Sequence, residues 1–293
     1  YDTDPVWSPD GRQIAWLSME RNGYEADKVR LMVASVSAGN PQEDGQGAVE
    51  VDCIRELTSS FKYNAAGPVW SGDSRSIYFN ALTEGLQAIY KVEATEPGKT
   101  GDIAPAPVRI TPEDAWYDFS SPFAVVDGTL LGSYCSMEFP TELAAVDEAS
   151  GSFSRITDEN GHIIGQLDSY ETEQRFVGTV DGKQMLTWVL FPPKFDPSKV
   201  YPAIEIFLGG PQGTLSQGWS YRWNYRLMAA QGYIVILPNR RGTTAFGQEW
   251  CEQISGDYIG LNMQDYLSAA REMKKEPYVG KIAGCGASYG GFS

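Results

Sequence analysis

The chain has 293 residues, a length that predicts about two domains. Hydrophobic residues make up 42% of the sequence and charged residues 21%, as in ordinary globular proteins, which excludes disordered and fibrous classes. The net charge of −15 argues against nucleic acid as a partner, and no apolar stretch approaches the ~20 residues of a membrane-spanning helix.

The negative charge is concentrated in the first part of the chain. Residues 1–180 carry 29 acidic and 12 basic side chains, whereas residues 181–293 carry 9 and 11. Such an asymmetry predicts two regions of different construction. An acidic first region would attract a cationic ligand rather than an anionic one. A solvated acidic surface that keeps the protein soluble is the alternative explanation.

Two segments near the beginning repeat one pattern at an offset of 63 residues. Residues 4–16 and 67–79 each consist of a short apolar run, a tight turn and a second apolar run, with Trp7 matching Trp70. Turn residues between apolar runs predict β-hairpins. A weaker third copy occupies residues 121–131.

Repeated units of this kind predict the four-stranded blades of a β-propeller. About three blades fit into residues 1–175, so we expect an incomplete, all-β propeller portion at 1–178. A single antiparallel sandwich is the alternative. The polar stretches 39–47 and 93–107 are rich in glycine and proline, and we interpret them as loops between strands.

Past residue 178 the pattern changes to alternating strands and helices, which predicts an α/β layer with a mostly parallel sheet. The continuous apolar run 233–237 is typical of a strand buried on both faces. Strands are predicted at 184–191, 203–207, 233–237 and 282–285, and helices at 223–231 and 263–273.

The last predicted strand leads into Gly-Ala-Ser-Tyr-Gly-Gly at residues 286–291. The Gly-x-Ser-x-Gly pattern places a serine on a sharp strand-to-helix turn, with its hydroxyl exposed above the sheet. We therefore predict that Ser288 is a nucleophile and that the backbone N–H of Tyr289 stabilises an oxyanion. The predicted nucleophile elbow also contains three small residues, Gly286, Gly290 and Gly291.

A second oxyanion donor is expected in the turn that follows the strand at 203–207. Residues 208–212 read Leu-Gly-Gly-Pro-Gln, and the backbone N–H of Gly210 would supply this donor. An ordinary turn between a strand and a helix is the alternative.

Four motifs of the second half together resemble the prolyl oligopeptidase family, most closely its dipeptidyl-peptidase 5 and acylaminoacyl-peptidase branch. They lie at 191–202, 209–212, 239–242 and 286–291, in the family's order. The resemblance implies a partial β-propeller at 1–178 and the N-terminal part of an α/β-hydrolase domain, truncated at its C-terminus, at 179–293. It also implies a serine peptidase that releases dipeptides or short units from the N-termini of oligopeptides.

Three alternatives to a dipeptidyl-peptidase stay open. An acylaminoacyl-peptidase or an esterase could use the same scaffold and the same acyl-enzyme chemistry. From another class, the chain could be a non-catalytic propeller that binds a partner. We expect an oligopeptide substrate and no metal or organic cofactor, and a homodimer is one alternative for the oligomeric state. The resemblance favours the periplasm, with the cytoplasm as the alternative.

The chain departs from the family's pattern in two respects. Leu208 stands where many members have His, Gln or Tyr, so assistance from that side chain is absent. The family places its catalytic Asp and His after the nucleophile, so we expect them beyond residue 293 and expect this segment alone to be catalytically incomplete. The sole histidine, His162, is expected in a surface turn. Asp257 and Asp265 precede the serine, where the family places no triad member, and Asp265 is expected to be a structural or surface carboxylate.

An arginine pair and an aromatic cluster lie near the motifs in the sequence. Arg240 and Arg241 are expected to pair with carboxylates across the interface between the two domains, or one of them positions substrate. An aromatic cluster is expected to pack at the start of a helix, with Trp219 and Tyr221 bordering the cleft. The cluster consists of Trp219, Tyr221, Trp223 and Tyr225. The four cysteines are too widely spaced for a zinc pattern or a compact disulfide framework.

Overall fold

The structure is a computed structural model that describes residues 1–39, 49–94, 105–122 and 124–293. The chain divides into two compact units. The first comprises Tyr1–Leu82, Gln87–Tyr134 and Glu142–Thr157, and the second comprises Thr83–Leu86, Cys135–Thr141 and Asp158–Ser293. The loops expected at 39–47 and 93–107 lie largely outside the described residues.

The domain boundary between residues 178 and 179 stays a prediction. In the structure, residues 158–178 already belong to the second unit. The reason is local, since the strand at 172–178 pairs with the strand at 184–190 across a short turn.

Three sheets account for most of the first unit, and hydrogen-bonded strands are mostly consecutive in the chain. The first sheet contains β1 (Asp2–Trp7), β2 (Gln13–Ser18), β3 (Arg30–Ala38) and β4 (Val49–Glu56). The second contains β5 (Ala66–Trp70), β6 (Ser76–Thr83), β7 (Leu86–Glu93) and β8 (Val108–Arg109). The third contains β9 (Asp118–Phe119), β10 (Ala124–Val126), β11 (Thr129–Ser136), β12 (Phe139–Asp147) and β13 (Phe153–Arg155). This arrangement is consistent with a propeller-like portion.

The sequence repeat forms the first hairpin of the first two sheets, as predicted. Trp7 lies opposite Ile14 in the β1–β2 pair, and Trp70 lies opposite Ile77 in the β5–β6 pair. The two registers are the same because the turn between the strands has the same length and chemistry in each copy.

Side-chain hydrogen bonds close both turns in the same way. The Ser8 hydroxyl donates to Asp10 Oδ1 over 2.6 Å and accepts from the backbone N–H of Gln13 over 2.9 Å. In the second copy Ser71 donates to Asp73 Oδ1 over 2.7 Å and accepts from the N–H of Ser76 over 2.9 Å. Short polar side chains that bond nearby backbone groups stabilise turns locally. The repeated Ser-x-Asp sequence therefore specifies the hairpins.

A five-stranded mixed sheet forms the centre of the second unit, with the strand order β14-β15-β17-β16-β18. Its strands are β14 (Thr172–Gly178), β15 (Gln184–Leu190), β16 (Tyr201–Phe207), β17 (Ile234–Pro238) and β18 (Val279–Gly286). The helices are α1 (Gly161–Ile164), α2 (Tyr225–Ala230), α3 (Gln248–Glu252), α4 (Leu261–Met273) and α5 (Tyr289–Phe292), with a 3₁₀ turn at Thr244–Phe246.

The sheet formed by the described strands is mixed rather than mostly parallel, because two of its four strand pairs are antiparallel. β16 runs parallel to both β17 and β18, whereas β14–β15 and β15–β17 are antiparallel. A tight turn joins β14 to β15, with the N–H of Thr179 donating to the carbonyl of Lys183 over 2.9 Å. A connection this short can only join antiparallel strands.

β17 is buried on both faces, as the apolar run predicts. Val235 and Leu237 pack into the hydrophobic cluster on one face of the sheet, together with Ala229 of α2. Ile234 and Ile236 pack into the cluster on the other face. The second cluster also contains Ala269 and Met273 of α4. The central strand therefore holds a helix on each side of the sheet.

One carboxyl group interrupts the apolar centre of this sheet. Glu205 of β16 lies opposite Ile236 of β17 and Gly284 of β18, and its side chain is buried. Within the described part of the chain its Oε1 has no hydrogen-bond partner. Because burial disfavours the charged form, the pKa of Glu205 is raised to about 8. The carboxyl group is therefore protonated at neutral pH.

Replacing Glu205 with glutamine removes this titration. The folded-state pKa exceeds the ordinary value of 4.5, so the wild type loses stability as the pH rises from 4.5 to about 8. The slope for one proton is about 1.4 kcal/mol per pH unit at most. In the full-length protein we expect Glu205→Gln to match the wild-type Tm near pH 5 and to exceed it near pH 8.5, measured by circular dichroism.

Glu249→Gln is the control for this experiment, because the Glu249 side chain is exposed. It should follow the wild-type curve throughout. A Tm difference between Glu205→Gln and the wild type that does not change with pH would contradict a protonated Glu205.

Candidate active site

Ser288 lies in the turn between β18 and α5, where the sequence pattern places it. Its backbone has φ 56° and ψ −124°, a positive φ that non-glycine residues rarely adopt. A strained turn of this kind is maintained only when the surrounding structure fixes it. Ser288 is exposed, and its hydroxyl makes no hydrogen bond within the described residues.

Close backbone contacts explain two of the three glycines of the elbow. A Cβ atom at Gly290 would collide with the carbonyl oxygen of Phe207, the last residue of β16. A Cβ atom at Gly286 would lie 2.6 Å from the same oxygen and would also collide with the carbonyl of Gly290. A Cβ at Gly291 would meet only the carbonyl of Gly286, at an ordinary 3.6 Å. The close approach therefore requires glycine at 286 and 290, but not at 291.

The Gly-Gly turn after β16 lies directly against the elbow. The Cβ position of Gly209 is 2.9 Å from the carbonyl oxygen of Ala287 and 3.6 Å from Cβ of Ser288. Gly210 has φ 131°, which L-residues with side chains rarely adopt. The backbone N–H groups of Gly210 and Tyr289 have no hydrogen-bond partner among the described residues. The two donors predicted from the sequence are therefore not bound to other groups of the described residues.

A cavity of about 360 Å³ opens beside Ser288. Both Gly209 and Gly286 line it, whereas Gly210 and Tyr289 are not among the lining residues. Its wall consists of Ile206, Phe207, Leu208, Gly209, Thr214, Leu215, Ser220, Arg222, Trp223, Tyr225, Gly286, Ala287 and Ser288. The structure thus gathers the predicted nucleophile and the Gly-Gly turn at one cavity, and the roles assigned to these residues stay predictions.

The aromatic residues that border this cavity differ from the expected pair. Trp223 and Tyr225 line it, whereas Trp219 and Tyr221 line a separate cavity of about 670 Å³. The chain turns between the two pairs, since the N–H of Trp223 donates to the hydroxyl of Ser220 over 2.9 Å. α2 begins directly afterwards at Tyr225.

Arg241 pairs with carboxylates, but both belong to the second unit and do not bridge the two units. Its Nη2 lies 2.5 Å from Asp181 Oδ1, and its Nε lies 3.6 Å from Asp265 Oδ2. Asp265 is buried in α4 and accepts the backbone N–H of Arg241 over 2.9 Å. Burial raises the pKa of Asp265 to about 6. This arrangement fits the structural role expected for Asp265.

The other residues considered in the sequence lie away from the cavity wall. His162 is exposed on α1, and Asp257 is exposed before α4. All four cysteines are free thiols. Among the described residues, no group of His, Cys, Asp and Glu side chains is placed to hold a metal ion. No helix in the described ranges has the length and apolar character needed to cross a membrane.

Alanine at position 290 is expected to destabilise the protein, whereas alanine at 291 is not. The added Cβ at 290 meets a backbone oxygen that cannot move away, and overpacking of this kind costs about 1–3 kcal/mol. Gly291 lies inside α5 with free space around it, where alanine is favoured over glycine. Thermal unfolding of the two variants in the full-length protein measures the difference. Equal Tm values would contradict the close packing of β16 against the elbow.

Comparison with known proteins identifies relatives for the whole chain. Residues 219–293 match the prolyl oligopeptidase family. Dipeptidyl-peptidase 5 of Porphyromonas gingivalis is 46% identical over 295 residues, covering 100% of this chain and 40% of that protein. Dipeptidyl-peptidase 5 of Trichophyton schoenleinii is 28% identical and is covered to 38%. The chain therefore spans about 40% of the length of these curated relatives.

Solved structures resemble the chain as well. The acylaminoacyl peptidase of Pyrococcus horikoshii superposes with a TM-score of 0.67 at 18% identity, covering 99% of this chain and 48% of that chain. At this identity the likeness concerns the fold alone. Together with the family match and the 46% identical relative, it confirms the resemblance predicted from the four motifs. The chain is thus similar to the prolyl oligopeptidase family over residues 219–293 and to dipeptidyl-peptidase 5 along its whole length.

Proposed function

We propose that the protein containing this chain is a serine peptidase in which Ser288 is the nucleophile. The observation that carries the proposal is the exposed Ser288 hydroxyl on a strained elbow, packed against the Gly-Gly turn at the edge of one cavity. The relationship to dipeptidyl-peptidase 5 and to the prolyl oligopeptidase family supports the same reaction class.

Acyl-enzyme chemistry fits this geometry. The Ser288 oxygen attacks the carbonyl carbon of the scissile peptide bond, and the negative charge moves to the carbonyl oxygen. The N–H groups of Tyr289 and Gly210 hold this oxyanion. The C–N bond then breaks, the amine leaves with a proton, and water releases the acyl group from the serine.

A general base must accept the hydroxyl proton, because an unassisted serine is a weak nucleophile. No described carboxylate or histidine lines the cavity beside Ser288. The family resemblance implies a histidine, oriented by an aspartate, later in the full-length protein. The chemistry is therefore assigned to the full-length protein and not to this segment.

The proposed fold has two parts. Part of a β-propeller lies within the predicted range 1–178, and the three sheets of the first unit support it. Residues 179–293 form the N-terminal part of an α/β-hydrolase domain. Support comes from the parallel β17-β16-β18 segment, the helices on its two faces and the strand–elbow–helix arrangement around Ser288.

We propose that the substrates are oligopeptides with a free N-terminus, from which the enzyme releases dipeptides. The acidic first part of the chain favours the α-ammonium group of such a peptide. Both dipeptidyl-peptidase 5 relatives carry a name that agrees with this specificity. An acylaminoacyl-peptidase is the second candidate, because the fold of the Pyrococcus horikoshii enzyme of that name matches this chain.

Covalent labelling tests the nucleophile. A fluorophosphonate probe should label the full-length protein at Ser288, because the probe reacts with serines activated by a base and an oxyanion hole. Ser288→Ala should abolish the labelling, as read by mass spectrometry. Ser293→Ala is the matched control and should label normally, since that hydroxyl is bonded to the carbonyl of Tyr289. Failure of the wild type to label would favour the non-catalytic binding protein.

Peptide substrates with free and blocked N-termini separate the two candidate specificities. We expect the full-length protein to cleave free peptides at least about tenfold faster in kcat/KM, because one lost charge-assisted contact costs about 1.5–3 kcal/mol. The control is the same peptide pair with a trypsin-like endopeptidase, which should cut both. Equal or faster cleavage of the blocked peptides would contradict the dipeptidyl-peptidase specificity and support an acylaminoacyl-peptidase.

A further inference from the structure

Arg240 is a fully buried cation that pairs with no carboxylate. Its exposed fraction is 0%, and within the described residues it takes part in no ion pair. A buried charge is costly unless polar groups satisfy it. The hydrogen-bond acceptors around the Arg240 guanidinium therefore show which part of the structure this side chain stabilises.

The guanidinium group binds the Gly-Gly turn at both ends. Nη2 donates to the carbonyl of Leu208 over 3.0 Å, and Nη1 donates to the carbonyl of Pro211 over 2.9 Å. The Nε group donates to the hydroxyl of Tyr266 over 3.0 Å, and the same hydroxyl accepts the backbone N–H of Leu208 over 2.9 Å. The residues on either side of Gly209 and Gly210 are thus fixed by one side chain and its tyrosine partner.

The same cation also contacts the elbow. The Arg240 Cζ atom lies 5.1 Å from the centre of the Tyr289 ring, within the range of a cation–π interaction. Tyr289 follows the nucleophile, and its hydroxyl donates to the carbonyl of Tyr258 over 2.8 Å. Arg240 therefore contacts the backbone of the turn that contains Gly210 and the aromatic ring of Tyr289.

We propose that Arg240 is the positioning residue of the oxyanion site. It holds the turn at residues 208–211 against the elbow, so that the backbone N–H donors are placed before substrate arrives. The proposal rests on the proposed peptidase function. Arg240 acts through the turn and does not touch substrate. Preorganised donors of this kind account for a large part of catalysis in acyl transfer.

The bonding geometry explains why arginine is needed. One planar guanidinium, which carries five N–H donors, binds the carbonyls of Leu208, Pro211 and Arg241 and one hydroxyl at fixed angles. Lysine carries the same charge but concentrates it at one flexible ammonium group. Arg240→Lys therefore keeps the charge and removes the simultaneous contacts with Leu208 and Pro211.

Arg241 provides a matched control. It is equally buried and adjacent in sequence, but its side chain binds the carboxylates of Asp181 and Asp265. Arg241→Lys removes a buried arginine without touching the turn at 208–211. Its effect measures the loss of stability that any such replacement causes.

The experiment compares the wild type, Arg240→Lys and Arg241→Lys in the full-length protein. We expect Arg240→Lys to lower kcat by about 10- to 100-fold with KM changed by less than about threefold, because displaced donors weaken only the transition state. Inhibition by a peptide aldehyde, whose adduct with Ser288 carries an oxyanion, should weaken in proportion to kcat. Inhibition by the dipeptide product should not change. Arg241→Lys should lower the Tm and leave kcat per folded molecule unchanged.

Tyr266→Phe tests the proposal should Arg240→Lys fail to fold. It keeps the ring, whose centre lies 4.5 Å from that of the Phe207 ring, and removes the hydroxyl that binds Arg240 and Leu208. A loss in kcat of about tenfold, matched by weaker aldehyde binding, supports the proposal.

Two outcomes separate the proposals. The positioning role alone is overturned if turnover depends on Ser288 but is unchanged in Arg240→Lys and Tyr266→Phe. It is also overturned if Arg241→Lys loses as much kcat as Arg240→Lys does. Turnover that persists in Ser288→Ala, or no turnover in the wild type, overturns the proposed function and the positioning role with it.

Discussion

The site depends on one backbone contact, the approach of the Phe207 carbonyl to the elbow. Phe207 ends β16 and pairs with Gly286 at the end of β18, so the two parallel strands reach the site together. The missing side chains of Gly286 and Gly290 allow the chain after β18 to turn against this carbonyl. Because the Gly-Gly turn begins directly after Phe207, the same contact sets the separation between Ser288 and Gly209. The pairing of β16 with β18 therefore fixes the positions of Ser288 and of the Gly-Gly turn.

Buried charges around this contact are satisfied in three different ways. Arg241 is neutralised by carboxylates, and Arg240 is solvated by carbonyl and hydroxyl oxygens of its surroundings. Glu205 has neither arrangement, and its environment favours the uncharged carboxylic acid. In each case the neighbouring polar groups decide the arrangement, since a buried charge without partners is strongly unfavourable. The second unit therefore places the Arg240 guanidinium beside the Gly-Gly turn, where carbonyl and hydroxyl oxygens rather than a directly bonded carboxylate surround it.

Features encoded by neighbouring residues could be predicted from the sequence, and features that depend on distant residues could not. The hairpins follow from Ser-x-Asp turns, and the elbow follows from glycines two residues on either side of Ser288, so the sequence predicts both. Strand direction in the mixed sheet depends on the pairing of β15 with β17, which no local pattern shows. The cavity wall at Trp223 and Tyr225 and the contacts of Arg240 depend on how the turns fold back. Glu205 was overlooked because its apolar neighbours in β16 dominate the hydrophobic pattern.

The separation of the paired strands in sequence has a consequence for the order of folding. Hairpins such as β1–β2 join residues that are close in the chain, and such elements form within about 1–10 μs. The pairing of β16 with β18 joins residues about 80 positions apart, and closing a longer loop costs more entropy. The elbow can take its shape only after these two strands have met. A chain still emerging from the ribosome therefore has its hairpins in place before the turn at Ser288 takes its shape.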